Sequence, residues 1–325
     1  MLKKLTLFGL KLAVALGLLY WLYTQSLLDL SSLEELRFDA KSVGLFLVAV
    51  SLVIGAVALL AFRLILLLGP YGLVISFKRA LALSMMGALF GVVLPGLVGG
   101  DVIKAAYLFR DAAGYRSRVV ATVIIDRIVG LYALFLLSTL ASVAAWMTNS
   151  FPGSPQVLLV GPCITLVMTV GGLLVFGITV VDVPILRQFV CRMPEKIRNL
   201  MAALVQYWNH PMPLLIAVGI SMLSHAMIVG TFILAAILLR DTLPLYAHFV
   251  VDPMAMALNV VPLTPGGLGV TEGAFSYLFA MMGSTNGSLV ALLGRFFQYV
   301  IFVTGGSIAF VVTRVHSEAA RPELI

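Results

Sequence analysis

Apolar residues occur along this chain in long runs that alternate with short polar segments. A helix needs roughly 20 apolar residues to cross the hydrocarbon core of a bilayer, so runs of this length predict transmembrane helices. Six such runs cover residues 5–23, 43–68, 119–147, 158–181, 213–239 and 288–313. The pattern therefore predicts an all-α integral membrane protein with six full transmembrane helices.

Two further apolar regions, residues 80–110 and 246–283, are each interrupted near the middle by glycine, proline and a carboxylate. The interruptions read PGLVGGD at Pro95–Asp101 and PGGLGVTE at Pro265–Glu272. Irregular backbone is tolerated within a membrane only where protein buries it or where it lines a water-filled cavity. A chain that places two such segments at membrane depth is predicted to build a binding site there.

The composition is that of a membrane protein. Hydrophobic residues make up 61% of the chain, charged residues 11%, and the mean hydropathy is +1.10. These values exclude an ordinary soluble domain. The spans leave no room for a separate soluble domain, so we expect residues 1–325 to form a single membrane domain. Cys163 and Cys191 lack the spacing of a metal site, and we expect no metal and no other cofactor.

The distribution of basic residues decides how the two interrupted regions enter the membrane, because cytoplasmic loops carry an excess of Lys and Arg. If both regions are re-entrant hairpins and the N-terminus is cytoplasmic, only Arg37, Lys41 and Arg240 lie outside. The cytoplasmic segments then contain Lys3, Lys4, Lys78, Arg79, Arg110, Arg116, Arg118, Arg187, Arg192, Lys196, Arg198, Arg314 and Arg321. We therefore predict two hairpins, cytoplasmic N- and C-termini and a cell-membrane location. Orientation already explains the basic loops, so no nucleic-acid partner is expected.

In this topology the two hairpins enter from opposite faces, and their tips approach each other near the midplane. Residues 43–147, with hairpin 80–110, form a first repeat, and residues 213–313, with hairpin 246–283, form a second. Residues 158–181 are the linking span. Inverted repeats with broken helices that meet at the midplane are typical of secondary transporters.

The polar motifs resemble one known family. They are Pro95-Gly96 with Gly99-Gly100-Asp101, then Asp126-Arg127 in an apolar span, then the run from Pro262 to Gly273. Together they resemble the flippase-like membrane family that includes the membrane half of lysylphosphatidylglycerol synthases. The resemblance covers residues 5–313 and implies a polytopic protein that moves a lipid between leaflets. In the best-known members a cytosolic aminoacyltransferase domain follows the membrane half. Because this chain ends at Ile325, we expect no such domain here and do not carry over the lysyl-lipid substrate.

Four ionisable residues are the main candidates for substrate binding or coupling. Asp101 is either a helix N-cap or a ligand for a proton or a cationic headgroup. Glu272 follows Thr271, which could provide the cap itself, and this makes Glu272 the leading candidate for proton coupling. Arg127 and Arg295 either pair with Asp101 and Glu272 as structural ion pairs or bind a phosphate. Arg63, by contrast, is expected to snorkel to the cytoplasmic edge.

The remaining candidates are polar residues near the hairpins and glycines at their tips. His225 forms a polar stripe with Ser221 and Ser224, which indicates either interhelical hydrogen bonds or the lining of a cavity. Asp252 and Asn259 share a helix face and could line an outer vestibule, or Asp252 could lie at a shallow depth, near the lipid headgroups. The substrate and coupling set is completed by Lys104, Asn259, Thr271 and His225, and the tips by Pro95, Gly96, Gly99, Gly100, Pro265, Gly266, Gly267 and Gly269.

Three function classes remain open. The first is a lipid flippase, dependent on protons or another gradient, that moves a polar-headed, anionic lipid or a lipid-linked sugar. The second is a membrane transferase, against which stand the missing DxD, HxxxxD and Walker motifs. The third is a small-solute transporter of the same architecture. We predict the first and expect a transporter rather than an enzyme, with membrane lipid and an enzyme that makes the lipid as partners.

Overall fold

The computed structural model describes residues 2–25, 39–93, 98–111, 114–180, 194–260 and 263–319. Within these ranges the chain is built from α-helices joined by short turns and brief 3₁₀ segments. The helices are α1 (Leu2–Thr24), α2 (Ala40–Leu68), α3 (Phe77–Val93), α4 (Val98–Asp111), α5 (Arg116–Met147), α6 (Val157–Val180), α7 (Glu195–Gln206), α8 (Pro211–Leu238), α9 (Leu245–Ala257), α10 (Val270–Ala280) and α11 (Gly287–Ala319).

Five long helices confirm five of the six predicted apolar spans. Among the described residues, five helices are long and apolar enough to cross a membrane, namely α2, α5, α6, α8 and α11. Helix α1 has 23 residues, and the apolar segment found within it, Ala13–Thr24, is shorter than these five. The amphipathic helix α7 was not predicted, because its basic residues were assigned to a cytoplasmic loop.

The first interrupted region forms two antiparallel helices, α3 and α4. At their open end, Nε and Nη2 of Arg79 donate to the carboxylate of Asp111 at 2.8 and 3.0 Å. Towards the tip, a Cβ atom at Gly100 would overlap the carbonyl oxygen of Gly87. Glycine at these two positions therefore allows the two helix backbones to touch. Pro95 and Gly96, the predicted tip, lie outside the described residues.

The second interrupted region forms a matching antiparallel pair, α9 and α10. The ring of His248 in α9 packs edge-on against Phe279 in α10, with centroids 5.4 Å apart. Nearer the tip, the hydroxyl of Thr271 donates to Oδ1 of Asn259. The turn between the helices includes Gly266, Gly267 and Gly269, whose positive φ angles of 57°, 74° and 82° favour glycine.

The two units pack against each other reciprocally. Helix α3 of the first hairpin lies on α11, where Phe90 contacts Phe310 with centroids 5.6 Å apart. Helix α9 of the second hairpin lies on α5, where Ser138 Oγ donates to the carbonyl of Val250 at 2.9 Å. Helices α2 and α8 pack on each other at the centre. Each hairpin is thus held by the last helix of the other unit.

Candidate functional site

Two ion pairs join α4 to α5 in the first unit. In one pair α4 supplies the carboxylate, and in the other α4 supplies the cation. Asp101, in the first turn of α4, accepts from Nε of Arg127 in α5. One turn further along α4, Lys104 Nζ lies 3.4 Å from Oδ2 of Asp126. The predicted pairing of Asp101 with Arg127 is confirmed. The N-cap interpretation of Asp101 is wrong, because α4 begins three residues earlier, at Val98.

Asp126 extends this polar cluster into α2 and α8. Its Oδ1 accepts from Nε of Arg63 at 2.7 Å, and Nη1 of Arg63 donates to Ser221 Oγ at 2.8 Å. Arg63 is only 6% exposed, so the prediction that it snorkels to the membrane edge is wrong. The carboxylate of Asp126 holds the guanidinium inside the bundle.

The cluster of Arg63, Asp101, Lys104, Asp126 and Arg127 carries an excess of positive charge. Among these described residues, three side chains are cationic and two are carboxylates, which leaves a formal charge of +1. Asp126 is about 15 Å along α5 from its first residue, or roughly half the thickness of the hydrocarbon core. The Arg127 side chain is 38% exposed, whereas that of Asp126 is 7% exposed.

The second unit contains an ion pair equivalent to Asp101–Arg127, but this pair is buried. Nη1 of Arg295 donates to Oε1 of Glu272 at 2.8 Å, and the Glu272 side chain is fully buried. The other carboxylate oxygen accepts the Gly269 N–H at 2.6 Å, which caps the start of α10. The predicted Glu272–Arg295 pair is confirmed. The expectation that Thr271 would provide the cap is wrong, since Glu272 does so while Thr271 bonds to Asn259.

Arg295 also fixes the tip of the second hairpin. Its guanidinium donates to the carbonyls of Gly266 and Gly267 and, at 2.6 Å, to the hydroxyl of Tyr299. Together with the bond to Glu272, these hydrogen bonds occupy both terminal nitrogens of the Arg295 guanidinium. Arg295 therefore stabilises the hairpin, and the more exposed Arg127 is the better placed of the two to reach a ligand.

The tip of the second hairpin lies against the end of the first hairpin helix. A Cβ atom at Gly266 would lie 3.4 Å from the carbonyl oxygen and 3.6 Å from Cα of Val92, in the last turn of α3. Pro265 is buried beside it, and Gly269 lies close to Leu18 of α1. In the first hairpin, Gly99 and Gly100 belong to the first turn of α4. The described parts of both hairpins therefore meet inside the bundle.

The polar stripe on α8 forms interhelical hydrogen bonds. Ser221 binds Arg63, Ser224 Oγ donates to the carbonyl of Ala56 at 3.2 Å, and Nε2 of His225 lies 3.0 Å from the carbonyl of Gly130. These contacts join α8 to α2 and α5. Of the two alternatives for the stripe, the structure shows interhelical hydrogen bonds, and His225 joins α8 to α5.

A buried histidine–aspartate pair was missed by the sequence interpretation. Nδ1 of His248 lies 2.9 Å from Oδ2 of Asp252, and neither side chain is exposed. Their other polar atoms, Nε2 and Oδ1, have no hydrogen-bond partner among the described residues. Asp252 therefore does not line an outer vestibule. The i, i+4 spacing of the two residues in an apolar helix was a signal that could have identified the pair.

A comparison with known protein families agrees with the family resemblance that the sequence motifs indicated. The family model described as the lysylphosphatidylglycerol synthase TM region matches residues 9–306. The chain belongs to this family. No curated protein and no solved structure matches the chain.

Family membership indicates a multi-pass membrane protein with a lipid-related function. The matched range includes both ion pairs, the Arg63–Asp126–Lys104 contacts and the turn from Pro265 to Gly269. Among the described residues, no group of three or more His, Cys, Asp or Glu side chains is arranged to hold a metal ion.

Proposed function

We propose that this protein is a translocator that moves a polar-headed, anionic lipid or a lipid-linked sugar between the two leaflets. The observation that carries the proposal is the positively charged cluster formed by Arg63, Asp101, Lys104, Asp126 and Arg127 within the helical bundle. Ionisable residues at membrane depth are costly and usually mark a substrate or ion pathway. An excess cation there fits a substrate with a negative headgroup.

The proposed topology has six full spans and two re-entrant hairpins in an inverted repeat. Helices α3 and α4 have 17 and 14 residues, or about 25 and 21 Å, which is shorter than the hydrocarbon core of about 30 Å. The Arg79–Asp111 pair brings their outer ends together, as a hairpin that enters and leaves on one face requires. Both termini and the base of this hairpin are assigned to the cytoplasm, in a cell membrane.

The second hairpin is assigned to the opposite face. At its base, the hydroxyl of Tyr246 donates to the carbonyl of Ser150, just after the end of α5. Helix α5 begins beside the first hairpin, at Arg116, and crosses the membrane before reaching this contact. One full span therefore separates the bases of the two hairpins, which supports opposite directions of entry.

The two units have different tasks in this mechanism. The sealed Glu272–Arg295 pair keeps the second hairpin rigid, while the Asp101–Arg127 pair is accessible enough to exchange partners. A guanidinium is well shaped for phosphate, so a headgroup phosphate can replace Asp101 on Arg127. The headgroup then passes the hairpin tips while the acyl chains remain in the bilayer.

The proposed energy source is a proton gradient or another ion gradient. Asp101 and the headgroup phosphate compete for the Arg127 guanidinium, so headgroup binding and the Asp101–Arg127 pair are linked at one site. The enzyme that makes the lipid is the proposed partner, and the chain itself is assigned to transport rather than to catalysis.

A reconstituted assay tests this function. Liposomes containing the purified protein are loaded with fluorescent lipids that share acyl chains but differ in headgroup, and a membrane-impermeant quencher reports leaflet exchange. We expect exchange of anionic headgroups to exceed that of a zwitterionic control, and Arg127→Gln to abolish the difference. Lys41→Gln, which removes one exposed charge outside the cluster, is the matched control. Headgroup-independent exchange, or none by folded protein, would overturn the proposal.

A further inference from the structure

A cavity of about 450 Å³ lies between the start of α5 and the amphipathic helix α7. Arg116 and Arg118 line it from the α5 side, together with Tyr115. Asn199, Ala202 and Gln206 line it from α7. This volume falls within the range of sites that hold small molecules or headgroups. The cavity is separate from the cluster around Asp126.

The cavity is positively charged. The guanidinium of Arg118 stacks over the Tyr115 ring, 4.7 Å from its centroid, and is thereby kept at the cavity wall. Neither Arg118 nor Arg116 takes part in any of the ion pairs that the described residues form. Two cations that form no ion pair with a described carboxylate attract an anion.

The start of α5 adds hydrogen-bond donors to the same wall. The N-cap residue, Tyr115, makes no side-chain capping bond. The first N–H groups of a helix lack partners within the helix, and the helix dipole favours negative charge at this end. In a helix of 32 residues, these groups supplement the two guanidinium groups in binding an anion.

Helix α7 is anchored so that the cavity keeps its shape. The hydroxyl of Tyr207, which follows α7, donates to the carbonyl of Leu67 at 2.7 Å, and burial raises the pKa of Tyr207 to about 12. The hydroxyl therefore remains protonated as a donor at neutral pH. Gln206 Nε2 also donates to the carbonyl of Pro70 at 2.8 Å. Both bonds fasten α7 to the end of α2.

The outer face of α7 is apolar. Ile197 and Met201, one turn apart, are 46% and 36% exposed. Amphipathic helices with such a face lie in the membrane interface, at the level of the lipid headgroups. The cavity beside α7 is therefore accessible to a lipid headgroup from within its own leaflet.

We propose that this cavity binds the phosphate of an anionic membrane lipid, through Arg116, Arg118 and the first N–H groups of α5. It lies on the face assigned to the cytoplasm. Its role as an entrance rests on the translocation function proposed above, whereas the binding itself does not. The lipid headgroup enters beside α7 and is presented to α5, whose next turns lead to the central cluster.

Binding is measured with the purified full-length protein in detergent, by native mass spectrometry with titrated lipids. The probes are phosphatidylglycerol, diacylglycerol with the same acyl chains, and inorganic phosphate. We expect Arg116→Gln with Arg118→Gln to weaken phosphatidylglycerol binding by about tenfold or more, because two charge-assisted bonds are lost. Ala202→Trp, which fills the cavity and leaves its charge unchanged, should weaken binding similarly. Lys78→Gln with Arg198→Gln removes the same charge outside the cavity and should change Kd by less than about threefold.

The outcomes separate this proposal from the translocation function. Unchanged lipid binding by the double arginine variant and by Ala202→Trp would overturn the site. Equal binding of diacylglycerol would remove the role of the phosphate, and full competition by inorganic phosphate at the lipid's concentration would assign the cavity to soluble phosphate. Arginine-dependent lipid binding supports the site even if reconstituted protein does not exchange lipids, a result that would count against translocation alone.

Discussion

Glu272 and Arg295 form a fully buried ion pair that is the counterpart of the pair between Asp101 and Arg127. The arginine follows its carboxylate partner by 23 residues in the second unit and by 26 in the first. In both units the carboxylate lies in the first turn of the second hairpin helix and the arginine in the following long helix. Their environments differ, and this difference gives separate predictions for the two pairs.

Replacing Arg295 should destabilise the protein. The Arg295→Gln variant removes the cation that neutralises the buried Glu272 carboxylate, together with the bonds to the glycine carbonyls and to Tyr299. Leaving a buried carboxylate without its partner costs about 3–5 kcal/mol. The apparent free energy of unfolding in an SDS titration measures the loss. Tyr299→Phe, which removes a single hydrogen bond, should cost about 1 kcal/mol; an equal loss for both variants would contradict this role of Arg295.

Replacing Asp101 should instead impair function while leaving the fold intact. Because the Arg127 side chain is 38% exposed and that of Arg295 only 6%, breaking this pair should cost less stability than breaking the Glu272–Arg295 pair. In the proposed mechanism, Asp101 competes with the headgroup phosphate for Arg127, so Asp101→Asn should change the rate at which anionic lipids exchange in liposomes but not that of a zwitterionic control. Asp111→Asn, which alters the exposed pair with Arg79, is the control. Anionic-lipid exchange at the wild-type rate would exclude Asp101 from this role.

The glycine contact between α3 and α4 should be sensitive to a single methyl group. The Cβ atom of Gly100→Ala would collide with the backbone of Gly87, so the hairpin helices must separate. Overpacking of this kind typically costs about 1–3 kcal/mol. Gly91→Ala is a matched control in the same hairpin, because its Cβ would have no neighbour within 4 Å. Similar thermal stabilities of the two variants in detergent would show that the helices are not in close contact.

The pair His248–Asp252 should show strong coupling. Changing either residue alone leaves a buried polar group without its partner, whereas His248→Leu with Asp252→Val removes both groups together. We expect each single change to cost about 1–3 kcal/mol and the double change to cost less than the sum of the two. A double-mutant cycle on SDS unfolding measures the difference. Additive losses would show that the two side chains do not interact.

Several features of the fold could be predicted because they depend on local pattern. The apolar runs located the spans, since length and hydropathy decide membrane insertion. The equivalent positions of Asp101 and Glu272, and of Arg127 and Arg295, gave ion pairing as one of two alternatives, and the structure contains both pairs.

Other contacts depend on which helix faces meet, and the sequence pattern does not contain that information. Arg63 was expected at the membrane edge because nothing in α2 indicates that Asp126 of α5 lies opposite. Helix α7 was missed because its basic residues outweighed the helical spacing of Ile197, Leu200, Met201 and Leu204. The bond from the Gly269 N–H to Glu272, by which this carboxylate caps α10, was not predicted because it depends on the conformation of the turn.

Opposite entry of the two hairpins is the central claim, and thiol labelling from each side of the membrane tests it most directly. Ser76 and Thr242 lie at the bases of the first and second hairpins and are both exposed, so each can be changed singly to Cys in a chain with Cys163 and Cys191 replaced by Ser. In oriented vesicles, an impermeant maleimide should reach Ser76→Cys only from the cytoplasmic side and Thr242→Cys only from the other. Labelling of both positions from the same side would contradict the inverted arrangement and the mechanism built on it.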